Sequence, residues 1–304
     1  MPVTTEAFNP LIRVGMRSDF RDNYATHGEE ELRSFLKVGT IDKAEIAATI
    51  MTGISRMYER DELEPVTFAT PKMGPRVAGV DKEFAVGVAI GRKIWEDDQY
   101  GKIKESAKWL SNALHQTREY RAAGWLDDIF TGTTYKGIDG LSFISASHTF
   151  LGTSGTWSNL APAVGVSMAG FSSLLDIFGG MKNHDGDPIK MMMDTLVIGN
   201  NPGDIHAAMK IIGGDKEPFT ANNDDNVIKQ RLGKIKLAIS RYKTSATSYF
   251  GIDSKWNDAH LLVRRAAKMD DDFDFKTDAA LFKITFRVLI WGVDPRGWAG
   301  ANPV

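Results

Sequence analysis

Between residues 65 and 79 the chain carries Pro65, Pro71, Gly74, Pro75 and Gly79, interleaved with the apolar Val66, Phe68 and Val77. Proline removes a backbone donor and clashes with the preceding helical turn, so no helix runs through this stretch, and a central strand does not hold three prolines. The chain must leave its core here as an extended excursion. It returns through Phe84, Val86, Val88 and Ile90, a period-2 set whose intervening residues, Ala85, Gly87 and Ala89, are small. Residues 65–90 are therefore expected to form a long two-stranded flap. An isolated two-stranded ribbon is marginal in water, so Val66, Phe68, Phe84 and Val86 are candidate contacts with a neighbouring chain.

The segment that follows is the opposite in character. Residues 102–123 hold no Gly or Pro, and Ile103, Ala107, Leu110 and Leu114 repeat at 4-3-4 spacing. At ~1.5 Å per residue this predicts one helix of roughly 33 Å. Glu96, Asp97 and Asp98 precede it, where the helix dipole favours acids, and Gly124 is the first available stop.

On the N-terminal side, residues 8–37 show no sustained period, with Pro10, Gly15 and Gly28 as punctuation, and only 29–36 suggests a short helix. This reads as an arm rather than a core element. Residues 42–58 read as a helix, from Ile46, Ile50, Ile54 and Met57 at 4-4-3 spacing behind Asp42 as a cap.

The second half mixes elements. A Gly/Ser/Thr-rich connection over 131–160 leads to a helix at 167–178 that stops at Gly179-Gly180. A strand at 195–198 is followed by Asn201-Pro202, an N-cap with proline at the first helical position, and a helix at 205–211. Ile235, Leu237 and Ile239 alternate, 261–263 offers a further strand, and Phe282, Ile284, Phe286, Val288 and Ile290 form a half-buried strand in antiparallel style. The fold class is α+β.

Composition narrows the function. With 304 residues the chain has room for about two domains. Lys plus Arg 37 against Asp plus Glu 39 leaves a net charge of -2, so no global field draws it to nucleic acid or an anionic membrane. A cysteine count of 0 excludes disulfides, thiolate catalysis and Cys-based metal sites. No run approaches the ~20 apolar residues of a membrane span; the most apolar stretch, 168–181, is broken by Ser172, Ser173 and Asp176. The first six residues lack a basic and apolar leader, so the product is expected to be made and kept in the cytoplasm.

Catalytic patterns are nearly absent. Gly165-Val166-Ser167-Met168-Ala169-Gly170 approximates a nucleophile elbow with one residue too many, and Pro162 sits where the elbow's strand should run. The bland reading makes Ser167 a helix cap; the sharp one is a serine hydrolase using Ser167 with Asp194 or Asp204 and His206 or His260. No two of the six histidines stand at i and i+4. His184-Asp185-Gly186-Asp187 reads as a polar turn rather than a calcium loop, and Asp270-Asp271-Asp272 with Asp274, like 222–226, as solvated loop. Neither a Gly-x-x-x-x-Gly-Lys loop nor a Gly-x-Gly-x-x-Gly turn occurs. The expectation is no catalytic residue, no cofactor and no metal. Trp291 and Trp298, flanking Val293-Asp294-Pro295-Arg296-Gly297, are either core residues or contacts with another subunit.

The order of arm, proline-rich flap, long helix, α/β segment and closing strand resembles the major capsid proteins of tailed bacteriophages, specifically the Mu-like major head subunit family with the Hong Kong 97-type capsid fold. The matching text is Lys93-Ile94-Trp95-Glu96-Asp97-Asp98, Asp139-Gly140-Leu141 followed by His148, Thr156-Trp157-Ser158-Asn159-Leu160, Asp194-Thr195-Leu196-Val197-Ile198 before Asn201-Pro202, and 293–298. The resemblance implies an N-terminal arm at 1–55, an E-loop at 56–90, a peripheral domain at 91–179 with its spine helix at 102–123, an axial domain at 180–265, and a return strand of the peripheral domain at 266–304. It implies a virion protein that assembles with itself as hexamers and pentamers around double-stranded DNA, made in the cytoplasm of a bacterial host. A scaffold, a maturation protease, a portal and a decoration protein are the further partners it implies. The family's fused charged scaffolding segment is not matched ahead of the arm. Its Lys and Asn cross-linking pair is not matched either, Lys72 and Lys82 being merely available, so cross-links are not expected.

Overall fold

The computed structural model describes residues 5–26, 30–54, 57, 59–66, 68, 70–96, 102–218, 224–232, 235–274 and 276–303. In chain order the elements are α1 (Thr5–Thr26), α2 (Glu30–Arg33), β1 (Lys37–Thr40), β2 (Glu45–Met51), β3 (Met73–Val80), β4 (Lys82–Gly91), α3 (Arg92–Glu96) and α4 (Lys102–Asp128). Then come β5 (His148–Thr149), β6 (Thr156–Trp157), α5 (Met168–Gly179), β7 (Thr195–Gly199), α6 (Pro202–Gly213), α7 (Val227–Leu232), β8 (Lys236–Ser240) and β9 (Tyr249–Ile252). The chain closes with β10 (Ala259–Asp274), β11 (Ala279–Gly292), a single 3-10 turn at Pro295–Gly297 and β12 (Trp298–Ala301).

Two four-stranded sheets organise the molecule, in the orders β1-β10-β11-β4 and β12-β9-β7-β8. In the first, β11 pairs antiparallel with both β10 and β4, as its clean alternation predicts, while β1 adds in parallel to β10. The stripe Ala107, Leu110 and Leu114 of α4 is buried against this sheet with Phe282, Ile284 and Phe286.

The second sheet explains why its strands read as nearly continuous apolar runs. Val197, Phe250, Ile252 and Trp298 face the core shared with α4, and the alternate residues Leu196, Ile198, Tyr249 and Ala299 face a second core with Phe171, Leu174 and Phe178 of α5. A strand buried on both faces has no polar register. Helix α5 thus belongs with this sheet and not, as the expected limit at 179 implied, with the elements before it. β12 lies here too, although 266–304 was expected to return wholly to the α4 side.

Several expectations are corrected. The arm contains a 22-residue helix, α1, that packs along α4. Its stripe Met16, Phe20 and Tyr24 is narrow, which hides it in the sequence, yet Met16 and Phe20 are buried and Tyr24 stacks on His115 with ring centroids 5.0 Å apart. Residues 45–51 form a strand, not a helix: Ile46, Ala48 and Ile50 are half-buried and their neighbours exposed. Positions 46 and 50 satisfy a period of 2 as well as one near 4, and pairing with β3 decides between them. Helix α4 runs through Gly124 to Asp128. Asp270, Asp271, Asp272 and Asp274 lie within β10, where Arg17 pairs with Asp271 at 2.6 Å and Lys268 with Asp270 at 2.7 Å. Of 222–226, positions 222 and 223 lie outside the described residues, and Asn226 is a buried cap whose Oδ1 accepts from the Ile228 N–H.

Candidate assembly surface

The excursion announced by the prolines exists, but with other partners than expected. Strand β3 pairs with β2, whereas 84–90 lie in β4 and complete the first sheet. The ribbon is therefore β2–β3. Thr52 and Lys72 close its far end: the Thr52 N–H donates to the Lys72 carbonyl at 2.9 Å, and the Lys72 N–H to Thr52 Oγ1 at 2.8 Å. Lys72 Nζ reaches the Gly152 carbonyl at 3.0 Å, and Leu151 lies where a side chain on Gly74 would be.

Beyond that closure the loop 53–71 leaves its apolar residues in solvent. Ile54 is 71% exposed, Met57 99%, Leu63 92% and Phe68 88%. Single exposed apolar residues are ordinary, but several concentrated on one projecting loop mark an interaction surface. The Asp61 carbonyl accepts the Glu64 N–H at 3.3 Å, forming a tight turn that holds Leu63 at φ 69, the left-handed region unfavourable to a leucine.

The ribbon's root is charged and buried. Between β3 and β4 stands Asp81, whose side chain is 1% exposed. Arg264 Nη1 donates to its Oδ1 at 3.0 Å, and Arg287 Nε lies 2.6 Å from its Oδ2 as an ion pair. These arginines come from β10 and β11, so one carboxylate ties the ribbon to both central strands of the sheet. At Gly79 a side chain would press on Leu289 and Trp291 at 3.0 Å.

The predicted contact residues divide. Val66 and Phe68 are exposed on the loop, and Val86 is 44% exposed on β4. Phe84 stacks on Phe286, ring centroids 5.2 Å apart, beneath the guanidinium of Arg121, so its own chain supplies a partner. Trp291 is half-buried beside Gly79. Trp298 is a core residue, fully buried at 4.8 Å from the Trp125 ring, with its Nε1 donating to Asn257 Oδ1 at 2.8 Å. It is unavailable to another subunit.

The sequence segments that carried the resemblance meet in a buried polar knot. His148 Nδ1 is 2.6 Å from Asp139 Oδ2, and His148 Nε2 is 3.0 Å from Asn159 Oδ1. The Asn159 amide donates to the carbonyls of Phe143, Pro295 and Trp298. Burial raises the Asp139 pKa, but the His148 bond and charge, with backbone donors at Leu141 and Thr149, outweigh it and hold the carboxyl below its usual range. Asp, His and Asn in a row resemble a catalytic relay, yet His148 and Asn159 are fully buried and Trp157 covers the imidazole at 4.4 Å. The knot fastens 139–160 to 295–298; it is architecture.

Ser167 is the N-cap of α5, its Oγ accepting from the Gly170 N–H at 3.2 Å. No strand precedes it. Asp204 accepts from Asn201, Asp194 from Thr195 and Ser254, and His260 pairs with Asp258. Among the described residues no hydrogen bond joins Ser167 to His206 or His260, and the hydrolase geometry is not assembled. His184 sits in the turn read from the sequence, and no group of three or more metal-ligating side chains occurs among the described residues. No described helix is long and apolar enough to cross a membrane.

No protein-family model and no curated protein sequence matches the chain. Solved structures do. The capsid of the cyanophage P-SCSP1u is similar with a TM-score of 0.58 at 12% identity, over 90% of this chain and 87% of that one. The procapsid of bacteriophage JBD30 is similar at 0.55 and 12%, over 98% and 76%. A virus-like particle from Pyrococcus furiosus is similar at 0.52 and 10%, over 95% and 98%. At such identities the likeness is one of fold, and it extends over nearly the whole chain, so this protein has the fold of phage capsid subunits that the sequence resemblance implied.

Proposed function

We propose that this protein is the major capsid protein of a tailed bacteriophage, whose copies assemble as hexamers and pentamers into an icosahedral shell around double-stranded DNA. The observation that carries the reading, beside the fold, is the β2–β3 ribbon and its loop, whose apolar residues find no cover in their own chain. In this reading the ribbon is the E-loop, the sheet β1-β10-β11-β4 with its spine helix α4 is the peripheral domain, and β12-β9-β7-β8 with α5 to α7 is the axial domain. The subunit has no catalytic role. A net charge of -2 suits a container into which DNA is driven rather than drawn. Scaffold, maturation protease, portal and decoration protein are the partners that such a shell implies. The test is sedimentation velocity with negative-stain microscopy of the purified protein at varied salt, with and without co-expressed phage scaffold. Closed shells are expected; a persistent monomer of 33.6 kDa under every condition overturns the proposal.

A further inference from the structure

Resting on the shell reading, we infer that the tip of the loop, 59–64, docks into an arginine-lined groove on a second copy of this chain. The groove is a cavity of about 290 Å³ between the arm helices and the first sheet. Arg33, Arg118 and Arg265 line it together with Val38, Phe286 and Val288, and none of its lining residues is acidic. Three guanidinium groups around an apolar floor in a chain of net charge -2 form a local concentration of positive charge that the composition does not announce. Arg118 Nη1 donates to Tyr24 OH at 2.9 Å, which fixes it in place, and Arg265 reaches Glu83 at 2.5 Å on the rim.

The occupant is named by complementarity. Residues 59–64 read Glu-Arg-Asp-Glu-Leu-Glu, four carboxylates against one arginine. All six are exposed, and no ion pair joins their carboxylates to another described residue. Leu63 stands 92% exposed at the turn, between Glu62 and Glu64. An apolar knob flanked by two acids matches an apolar floor flanked by arginines. Charge pairs of this kind set register and partner choice more than bulk affinity.

The copy's own tip is placed elsewhere. The groove opens beside Arg265, next to the Arg264 that holds the ribbon's root. Strand β3 then carries the chain about 26 Å from that root at ~3.3 Å per residue, and Lys72 fastens the loop's base to Gly152, which does not line the groove. The tip of one copy thus meets the groove of another.

The absence of native cysteine makes the test clean. Leu63→Cys combined with Thr40→Cys, at the groove, should yield a ladder of disulfide-linked subunits on mild oxidation of assembled particles, while Leu63→Cys alone yields none. Glu62→Arg with Glu64→Arg, and separately Arg33→Glu with Arg265→Glu, should each lower particle yield about tenfold, and the fourfold variant should recover most of it. Circular dichroism of each variant separates lost docking from lost folding. Normal particles without a ladder, or a ladder from Leu63→Cys alone, overturn the groove as receptor and leave the shell reading intact. Absence of particles from the unmodified chain defeats the shell reading itself. If the arginine variant assembles and cross-links normally but sheds bound duplex DNA, the groove holds nucleic acid and the inference fails.

Discussion

Asp81 Oδ2 lies 2.6 Å from Arg287 Nε, inside the sheet from which the ribbon departs, with Arg264 completing the clamp. Replacing Asp81 by Asn leaves two arginines facing one neutral amide. A fully buried pair broken this way costs ~3–5 kcal/mol; with Arg264 and Arg287 partly exposed, solvent screening lowers the expected loss to about 2–3 kcal/mol. Urea denaturation measures it, and an unchanged midpoint would show that the clamp contributes nothing.

The Thr52–Lys72 closure marks where the loop can be cut. Replacing 53–71 with a short Gly/Ser turn should leave the circular dichroism spectrum and melting temperature close to those of the parent and abolish large assemblies. Extending the excision to Val88 removes β4, which pairs with β11 along ten positions from Ala279 to Val288, and should unfold the subunit. Particles of normal size from the shorter excision would show that the loop is not a clasp between subunits.

Asn159 is the hub at which four segments meet, and His148 is its link to Asp139. Asn159→Ala strands the carbonyls of Phe143, Pro295 and Trp298 in the core. The expected cost is about 3 kcal/mol or more, since each buried orphan costs ~1–3 kcal/mol and some relax toward water. Thermal denaturation by calorimetry is the measurement, and a loss under 1 kcal/mol would refute the knot's structural role.

Ser167→Ala should cost about 1 kcal/mol, the typical worth of an N-cap hydroxyl, and leave assembly unchanged. Loss of phage infectivity with normal shells and normal folding would mean that the hydroxyl has chemistry beyond capping.

Glu119, on α4, has its pKa raised from 4.5 to about 7 by burial first and by the charge of Glu31 second, with a Leu32 backbone bond and Arg118 opposing. A carboxyl raised in the folded state favours its protonated form. Stability is therefore fully present below about pH 4.5 and is lost as pH rises through about 7. Urea midpoints should fall over that window, and Glu119→Gln should flatten the fall. A parallel profile in the variant would place the titration elsewhere.

The sequence by itself determined the elements whose signals are local. The gap-free stripe of α4, Ser167 and Asn201 as caps, the alternation of β11 and the prolines that expel the excursion all depend on neighbours within a few residues. The capsid fold was legible too, because the segments at Asp139, His148, Asn159 and 295–298 are held together by a knot whose chemistry needs those residue types. What a partner decides was not legible. Residues 45–51 satisfy both periods, and β3 makes them a strand; Met16, Phe20 and Tyr24 become a helix face only against α4; Phe84 is covered by Phe286, and Trp298 by Trp125 and Phe143. The acids at 270–274 look like loop until β11 pairs with them. The arginine groove draws its three charges from α2, α4 and β10, and no spacing along the chain encodes such a meeting, because hydrophobic burial and strand pairing bring together residues that the sequence keeps far apart.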